Sequence, residues 1–275
     1  MANDFSTDPN CKALWRLENA ALTADSKGGN TLTNSGVVAV TAAGSYQEGA
    51  ASGDFESTES DYMDIADASL DAGFPLKNGD ANKKISLCFW MKPESLPASG
   101  NWTMMVTKYA TNKKSFYVAL YNVGTHAHVQ VAIGYAGGAS AESLQADSMP
   151  ILAGQWYHVG VTFQDSDKAW KVRIWGATET WAGDNSGTAV NNINVEDAPW
   201  RLGAHGSGGY NFDGLLDEVV VFSDILTLPE IDRIRNGTYG PAAKATNPSP
   251  VDDATGVLHH ASLSWTDPGA MTMTL

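Results

Sequence analysis

The sequence predicts an all-β protein, a two-sheet antiparallel sandwich of the jelly-roll type with one short helix near its C-terminal end. Apolar residues alternate with polar or small ones in most segments that predict regular structure, and this is the period of a β-strand. Turn-rich segments separate these runs, and many short strands joined by turns are typical of sandwiches and jelly rolls. A single segment, close to residue 230, carries the signals of a helix.

The central strands show the alternation most clearly. One of them has apolar side chains at Ile85, Leu87, Phe89 and Met91. Two β-hairpins are predicted, over 116–133 and 157–174, because in each a pair of alternating runs flanks a turn-rich stretch. These strands are expected to form the middle of the sandwich.

The segment 212–222 predicts a strand that is covered on both sides. Strict alternation places Leu215, Asp217, Val219 and Val221 on one face, and the opposite face is also largely apolar. A carboxylate in such a row needs a cation or several hydrogen-bond donors, because burying it unpaired costs several kcal/mol or more. Asp217 is therefore expected to be either a calcium ligand or an acceptor that fixes a loop.

The predicted helix follows this strand. Thr227 is its expected N-cap, Pro229 suits the first turn, and Glu230 completes a capping box with Thr227. Ile231 and Ile234 lie three residues apart on one face, which is expected to cover the edge of a sheet.

The charge balance excludes several kinds of partner. The chain of 275 residues has 31 acidic and 17 basic side chains, and its formal net charge is −14. Nucleic-acid binding and docking on anionic membranes both need clustered cations, so neither is expected. No run of about 18 apolar residues could insert into a membrane. An acidic surface rich in asparagine and glycine suits calcium and neutral sugars.

The two cysteines and the N-terminal tail bear on where the protein is located. Cys11 and Cys88 do not amount to a disulfide framework, and Cys88 is expected to be a buried free thiol, although a bond to Cys11 is conceivable. Residues 1–10, read as a tail, lack the basic start and apolar run of a signal peptide. The sequence predicts an extracellular or cell-surface protein. The signal peptide was then trimmed, or the protein is exported by another route, or it belongs to a virus particle.

Four regions carry recognisable motifs in a fixed order. They are Leu-Trp-Arg-Leu-Glu at 14–18 with the loop Asp-Ser-Lys-Gly-Gly-Asn at 25–30, Ile-Ser-Leu-Cys-Phe-Trp-Met-Lys-Pro at 85–93, Gly-Gln-Trp-Tyr-His-Val at 154–159, and Phe-x-Gly-x-Leu-Asp-Glu-Val-x-Val-Phe at 212–222. Together they resemble laminin-G-like jelly-roll domains of the concanavalin A-like superfamily, and the resemblance covers 11–240. It implies the jelly-roll fold. It does not by itself imply one function, because lectins, adhesion modules, glycosidases and lyases share this fold.

The composition changes after residue 240. Residues 241–245 read as a linker, and the rest of 241–275 resembles the opening strands of a fibronectin-III-like or immunoglobulin-like module. Only about a third of such a module, which usually has near 100 residues, is present. We expect either that the chain was cut from a longer protein or that its gene is truncated.

The resemblance suggests a calcium site. The loop containing Asp25 and Asn30 would lie beside the strand that carries Asp217, since the first and last strands of the jelly roll are neighbours. Calcium takes six to eight oxygen ligands, which such a loop supplies. Asp25, Asn30 and Asp217 are the predicted ligands of a structural calcium ion. An Asx turn at 25–30 is the competing interpretation. The alternative ligands are Asp64, Asp67, Asp71 and Asp213.

Aromatic residues in loops suggest a sugar-binding platform, because flat apolar faces of sugars pack on exposed rings. The predicted ligand-binding residues are Trp102, Trp181, Tyr210, Asn185 and Asn211. The competing interpretation is that these tryptophans seal the ends of the sandwich. The glycine-rich loop 203–211 is flexible enough to reach a ligand.

No catalytic residues are predicted. The paired carboxylates of retaining glycosidases alternate along one strand, and Asp217 and Glu218, being adjacent, do not match. A lyase-like set, for which the spacing is not diagnostic, consists of Tyr117, His126, His128, Gln130 and Arg173. The sequence predicts a non-catalytic module of a larger extracellular protein that binds a glycan or a cell-surface protein. A polysaccharide-degrading enzyme and a structural spacer or virion-decorating module are the alternatives.

Overall fold

The computed structural model of the protein describes residues 3–176 and 180–240, together with three short strands further along the chain. The chain divides into two compact units, Met1–Tyr239 and Gly240–Leu275. No helix among the described residues is long and apolar enough to span a bilayer.

The described part of the first unit contains fifteen strands, one 3₁₀ turn at Asp67–Ser69 and one α-helix. The strands are β1 (Cys11–Trp15), β2 (Thr33–Ser35), β3 (Val38–Val40), β4 (Ser52–Phe55), β5 (Tyr62–Ile65), β6 (Lys84–Pro93), β7 (Trp102–Ala110), β8 (Lys113–Asn122), β9 (Ala127–Tyr135), β10 (Ser140–Ile151), β11 (Tyr157–Gln164), β12 (Ala169–Gly176), β13 (Gly183–Thr188), β14 (Trp200–Leu202) and β15 (Gly214–Phe222). The helix α1 is Leu228–Arg235.

The strands form two antiparallel sheets. One sheet has the order β13-β12-β11-β6-β15-β4-β3, with β1 also paired to β15, and so contains eight strands. The other has seven strands in the order β10-β9-β8-β7-β14-β5-β2. The predicted all-β sandwich is confirmed, as are the hairpins β8–β9 and β11–β12 and the pairing of the first strand with the last core strand.

The main core lies between the two sheets, since one cluster of buried side chains draws on both of them. Trp15 and Trp200 stack there with ring centroids 6.1 Å apart, and Phe74 meets Trp200 edge-on at 5.2 Å. Along β6 the core residues are Ile85, Leu87, Phe89 and Met91, as the alternation predicts. Each of these positions points inward because successive strand residues face opposite sides.

The strand β15 departs from simple alternation. Its pairing with β6 shifts between Asp217 and Val220, and Glu218 has a φ of 49°. An extra residue at this bulge reverses the facing of the rest of the strand. The prediction that Leu215, Asp217, Val219 and Val221 share a face is therefore wrong: Leu216, Val219 and Val221 pack in the main core, whereas Leu215 belongs to a separate outer cluster.

The outer face of the eight-stranded sheet is covered. The helix α1 and the N-terminal segment pack there in a second apolar cluster that includes Phe5, Cys88 and Ile231. Gly160 allows this close approach, because a Cβ atom on it would lie 2.5 Å from Ile231 Cγ2. The capping box of Thr227 and Glu230 is present, which confirms how the sequence begins this helix. Cys11 and Cys88 are buried free thiols.

The second unit is described only by three strands, β16 (Thr246–Ser249), β17 (Ser264–Thr266) and β18 (Thr272–Thr274). They form an antiparallel sheet in chain order. The residues between them lie outside the described ones, so the resemblance of 241–275 to a fibronectin-III-like or immunoglobulin-like module stays a prediction.

Candidate functional site

The outer face of the seven-stranded sheet carries an open groove with a volume of about 510 Å³. Strands β7 and β8 form its floor, and the loop 203–211 forms one wall. Four aromatic side chains line it, namely Trp102, Tyr109, Tyr117 and Tyr210. The groove therefore offers flat apolar surfaces, unlike the covered outer face of the other sheet.

The strand geometry explains why these rings project outward. Tyr117 alternates with Phe116 and Val118, which pack in the main core. The irregularity in the pairing of β7 with β8 after Met104 adds one residue to β7, so Trp102 and Met104 before it and Tyr109 after it all lie on the outer side. A strictly regular strand could not present all three of them there.

The aromatic rings are held in defined orientations. The indole Nε1 of Trp102 donates a hydrogen bond of 2.7 Å to Gln130 Oε1, and the ring lies 5.0 Å from that of Tyr121. Tyr109 and Tyr117 meet edge-on at 4.9 Å. A ring fixed before binding loses little conformational entropy when a ligand arrives.

The loop 203–211 is attached to β7 at several points. Met104 N–H donates to the Tyr210 carbonyl at 2.8 Å, and Gly206 N–H donates to the Tyr109 carbonyl at 2.9 Å. A Cβ atom at position 206 would lie 2.5 Å from that carbonyl oxygen, so glycine is required for the contact. The attachment leaves the Tyr210 side chain 51% exposed at the edge of the groove.

Hydrogen-bonding groups flank the rings. Thr111, Asn112 and Ser207 contribute polar atoms to the lining. Burial lowers the pKa of His205, so its ring is neutral at pH 7, and burial raises the pKa of Tyr109 to about 12, so its phenol stays protonated. Apart from the ammonium of Lys114, the polar groups of the groove are uncharged, and polar groups beside aromatic faces are the combination expected of a sugar-binding surface.

The structure brings together two of the five predicted ligand-binding residues. Trp102 and Tyr210 line the groove. Asn211 adjoins it, but its side-chain amide donates to the Ser57 carbonyl and to Ser60 Oγ.

The other two predicted residues lie elsewhere. Trp181 is 49% exposed but does not line the groove, and Asn185 is on β13, the edge strand of the other sheet, beside a smaller cavity of about 250 Å³. The sequence prediction also missed Tyr109 and Tyr117. Alternation with Phe116 and Val118 was the signal that could have revealed Tyr117, whereas the facing of Tyr109 depends on the irregularity in β7.

The predicted calcium ligands fall into two places. Asp25 and Asn30 form a hydrogen-bonded cluster with Asp71, in which the Asn30 amide nitrogen donates to Asp25 Oδ2 at 2.9 Å and to Asp71 Oδ2 at 3.1 Å. Asp25 Oδ1 accepts the backbone N–H groups of Leu14 and Lys27. Amide hydrogens thus occupy the centre of this cluster, where a cation would have to bind. Its geometry is that of an Asx-type turn.

Asp217 has different neighbours. It is fully buried, and its Oδ2 accepts the backbone N–H groups of Gln47 at 2.7 Å and Glu48 at 3.0 Å. Among the described residues, neither Asp217 Oδ1 nor Glu48 Oε2 has a hydrogen-bond partner, although both oxygens are buried. Asp217 thus fixes the loop at Gln47 and Glu48, which is the second role expected for it, and Asp25 and Asn30 are not among its hydrogen-bond donors.

Several carboxylates lie around Asp217 and affect one another's pKa. Burial raises the pKa of Asp217 to about 7 and that of Glu218 to about 8, and Glu48 adds like charge to both. Arg16 offsets part of this by pairing with Glu218 at 2.9 Å. A divalent cation would relieve the remaining repulsion.

The alternative ligands have protein partners. Asp64 pairs with Arg201 at 2.6 Å, and Asp67 pairs with the buried Lys108 at 2.6 Å. Asp213 accepts hydrogen bonds from Ser57 and Ser95.

Another group of carboxylates was not predicted. Asp54, Glu56 and Glu94 have oxygens within 4.8 Å of one another. Burial and these like charges raise the pKa of Asp54 to about 6.

The lyase-like set is assembled only in part, since Tyr117, His128 and Gln130 lie on the paired strands β8 and β9. Tyr117 and Gln130 are neighbours, with the Gln130 amide 3.4 Å from the Tyr117 hydroxyl. Arg173 lies on β12 in the other sheet, where it pairs with Asp184 and Asp232.

The laminin-G domain model of the concanavalin A-like lectin/glucanases superfamily matches residues 57–232, which is more than half of the chain. The protein belongs to this superfamily. No curated protein sequence matches this chain.

Solved structures share its fold at low sequence identity. Domain 4 of AbnA, a GH43 extracellular arabinanase from Geobacillus stearothermophilus solved in complex with arabinotriose, is 16% identical with a TM-score of 0.53, and the match covers 83% of this chain and 98% of that one. The botulinum neurotoxin type G receptor-binding domain is 13% identical with a TM-score of 0.53, and the match covers 82% of this chain and 51% of that one. A structure of botulinum neurotoxin type C, whose cell entry depends on interaction with two ganglioside molecules, is 9% identical with a TM-score of 0.52, covering 84% and 52%. The chain thus spans about half the length of the neurotoxin domains.

Proposed function

We propose that the protein is a non-catalytic carbohydrate-binding module of a larger extracellular protein and that its glycan binds in the groove on the seven-stranded sheet. One observation carries the proposal: four aromatic rings converge on an open groove on this face, while the opposite outer face is covered by α1 and the N-terminal segment. The rings supply flat apolar surfaces, and Thr111, Asn112 and Ser207 supply polar groups beside them.

The structural neighbours support this function. One was solved with arabinotriose, and another is a toxin whose cell entry depends on gangliosides. Their folds agree with that of this chain, and a glycan on a cell surface or in a polysaccharide is the partner that the groove suits.

A calcium ion bound at Asp217 would stabilise the module. Asp217 Oδ1 and Glu48 Oε2 would hold it, and the ion would balance the carboxylates gathered there. This role is separate from the groove.

A glycan array tests the binding proposal. The wild type should bind a defined set of glycans, and Tyr210→Ala should weaken that binding by about 1 to 3 kcal/mol, the contribution of burying an aromatic-sized surface. Trp181→Ala is the matched control, because Trp181 is equally exposed but lies outside the groove. The proposal would be overturned if Trp181→Ala lost glycan binding while Tyr210→Ala bound as tightly as the wild type.

A further inference from the structure

Among the described residues that line the groove, one side chain is charged at pH 7 and none carries a carboxylate. That charged group is the ammonium of Lys114. The chain as a whole has a net charge of −14, so a groove with a positive charge and no negative one differs from its average surface.

Within the part of the chain that the structure describes, Lys114 has no acidic partner. Its Nζ donates to the Ala139 carbonyl at 2.9 Å and lies 5.7 Å from the centre of the Tyr109 ring. By contrast, the adjacent Lys113 pairs with Asp197 at 2.9 Å. An ammonium group has three donor hydrogens, so Lys114 retains donors for a ligand.

We propose that the groove selects sugars that carry a carboxylate, with Lys114 as the ion-pair partner of that carboxylate. The inference rests on the proposed function and narrows it to acidic glycans, whose carboxylate comes from a uronic acid or a sialic acid. The aromatic rings would hold the apolar face of the acidic sugar or of its neighbour.

The negative charge of the chain does not oppose this selection strongly. Solvent-exposed charges are largely screened beyond about 8 Å at physiological ionic strength. The charges that a bound carboxylate meets are therefore those within this distance, namely the Lys114 ammonium in the lining and the Glu196 carboxylate, whose Cγ lies beside the Lys114 backbone near Gly138.

Two matched pairs of probes test the inference by calorimetric titration. Trigalacturonate is compared with its methyl ester, and 3′-sialyllactose is compared with lactose. We expect the wild type to bind the acidic member of at least one pair about tenfold more tightly than its neutral partner, as an ion pair of about 1.4 kcal/mol would give. A preference within the galacturonate pair would indicate a uronic acid, and a preference within the lactose pair would indicate a sialic acid. Added salt should weaken only the acidic member.

The variants separate Lys114 from its surroundings. Lys114→Gln should remove the preference for the acidic sugar, and Lys114→Arg should retain that preference. Lys113→Gln is the control, because Lys113 pairs with Asp197 and does not line the groove. Thermal unfolding should show that all three variants fold as the wild type does.

Several results would overturn the inference: equal binding of acidic and neutral sugars, no binding of either acidic sugar, or acidic binding that Lys114→Gln leaves intact. The proposed function fails on a separate result, namely that Tyr210→Ala leaves the binding of every glycan on the array, neutral ones included, unchanged.

Discussion

The indole Nε1 of Trp102 and the side-chain oxygen of Gln130 are 2.7 Å apart, and their hydrogen bond fixes a tryptophan ring at the groove on the seven-stranded sheet. Gln130 is on β9 and Trp102 on β7, so the bond spans the intervening strand β8. Gln130 also donates to Ser143 Oγ at 2.6 Å on β10. Side chains from β9 and β10 therefore hold the ring of Trp102 on β7 in its orientation.

Replacement of Gln130 should weaken glycan binding without removing an aromatic ring. Gln130→Met keeps the length of the side chain but removes the acceptor of the Trp102 indole. We expect a loss of about 1 kcal/mol in binding, the usual net value of such a hydrogen bond. Titration with the glycan found on the array measures it, and an unchanged affinity would show that the orientation of Trp102 does not matter.

The buried pair Lys108–Asp67 should contribute strongly to stability. Lys108 Nζ lies 2.6 Å from Asp67 Oδ1, and both side chains are buried. Asp67→Ala would leave a buried ammonium group without its counter-ion, and we expect a loss of about 3 to 5 kcal/mol in the free energy of unfolding. Urea denaturation measures it. Asp197→Ala, which breaks the exposed pair with Lys113, should change nothing measurable. A similar small effect for Asp67→Ala would contradict the prediction.

Calcium should stabilise the fold through Asp217. Because a ligand that binds only the folded state stabilises it by mass action, added calcium should raise the melting temperature and a chelator should lower it. Asp217→Asn should abolish both shifts. An asparagine oxygen can still accept from Gln47 and Glu48, so this variant keeps the bonds that fix the loop.

Asp217→Ala serves as the comparison, because it removes those bonds as well as the charge and should be less stable than Asp217→Asn. If chelator does not move the melting temperature of the wild type and elemental analysis finds no metal, the calcium proposal fails.

The pH dependence of stability should identify Asp217 in metal-free protein. Its pKa rises from 3.8 to about 7 on folding, so the folded state binds more protons than the unfolded state between these values. Its contribution is fully present below about pH 4 and is lost as the pH rises through about 7. Relative to Asp217→Asn, the wild type should therefore lose stability from about pH 4 to about pH 8. Urea denaturation with chelator present measures the difference, and parallel curves would contradict the prediction.

The sequence predicted the sandwich, the hairpins and the capped helix because each rests on a local pattern. Alternation predicted the inward face of β6, and the Thr227–Glu230 capping box predicted the start of α1. The facing of β15 was not predictable in this way. The bulge at Glu218 depends on pairing with β6, and one extra residue reverses every position after it.

The groove was predictable only in part, for a similar reason. Trp102 and Tyr210 stand out as aromatic residues near glycine and asparagine, but Trp181 does so equally and lies elsewhere. Which loop folds over which strand is set by long-range contacts such as that of Gly206 with Tyr109. The same holds for Glu48, which meets Asp217 across 169 positions of sequence.

The indole N–H resonances of the tryptophans in a ¹⁵N–¹H NMR titration test the central claim most directly. The Trp102 resonance, assigned by loss in Trp102→Phe, should shift as the glycan is added, because this indole lies at the groove. The Trp181 resonance should stay in place. Shifts at Trp181 with none at Trp102 would contradict the claim that the glycan binds in the groove on the seven-stranded sheet.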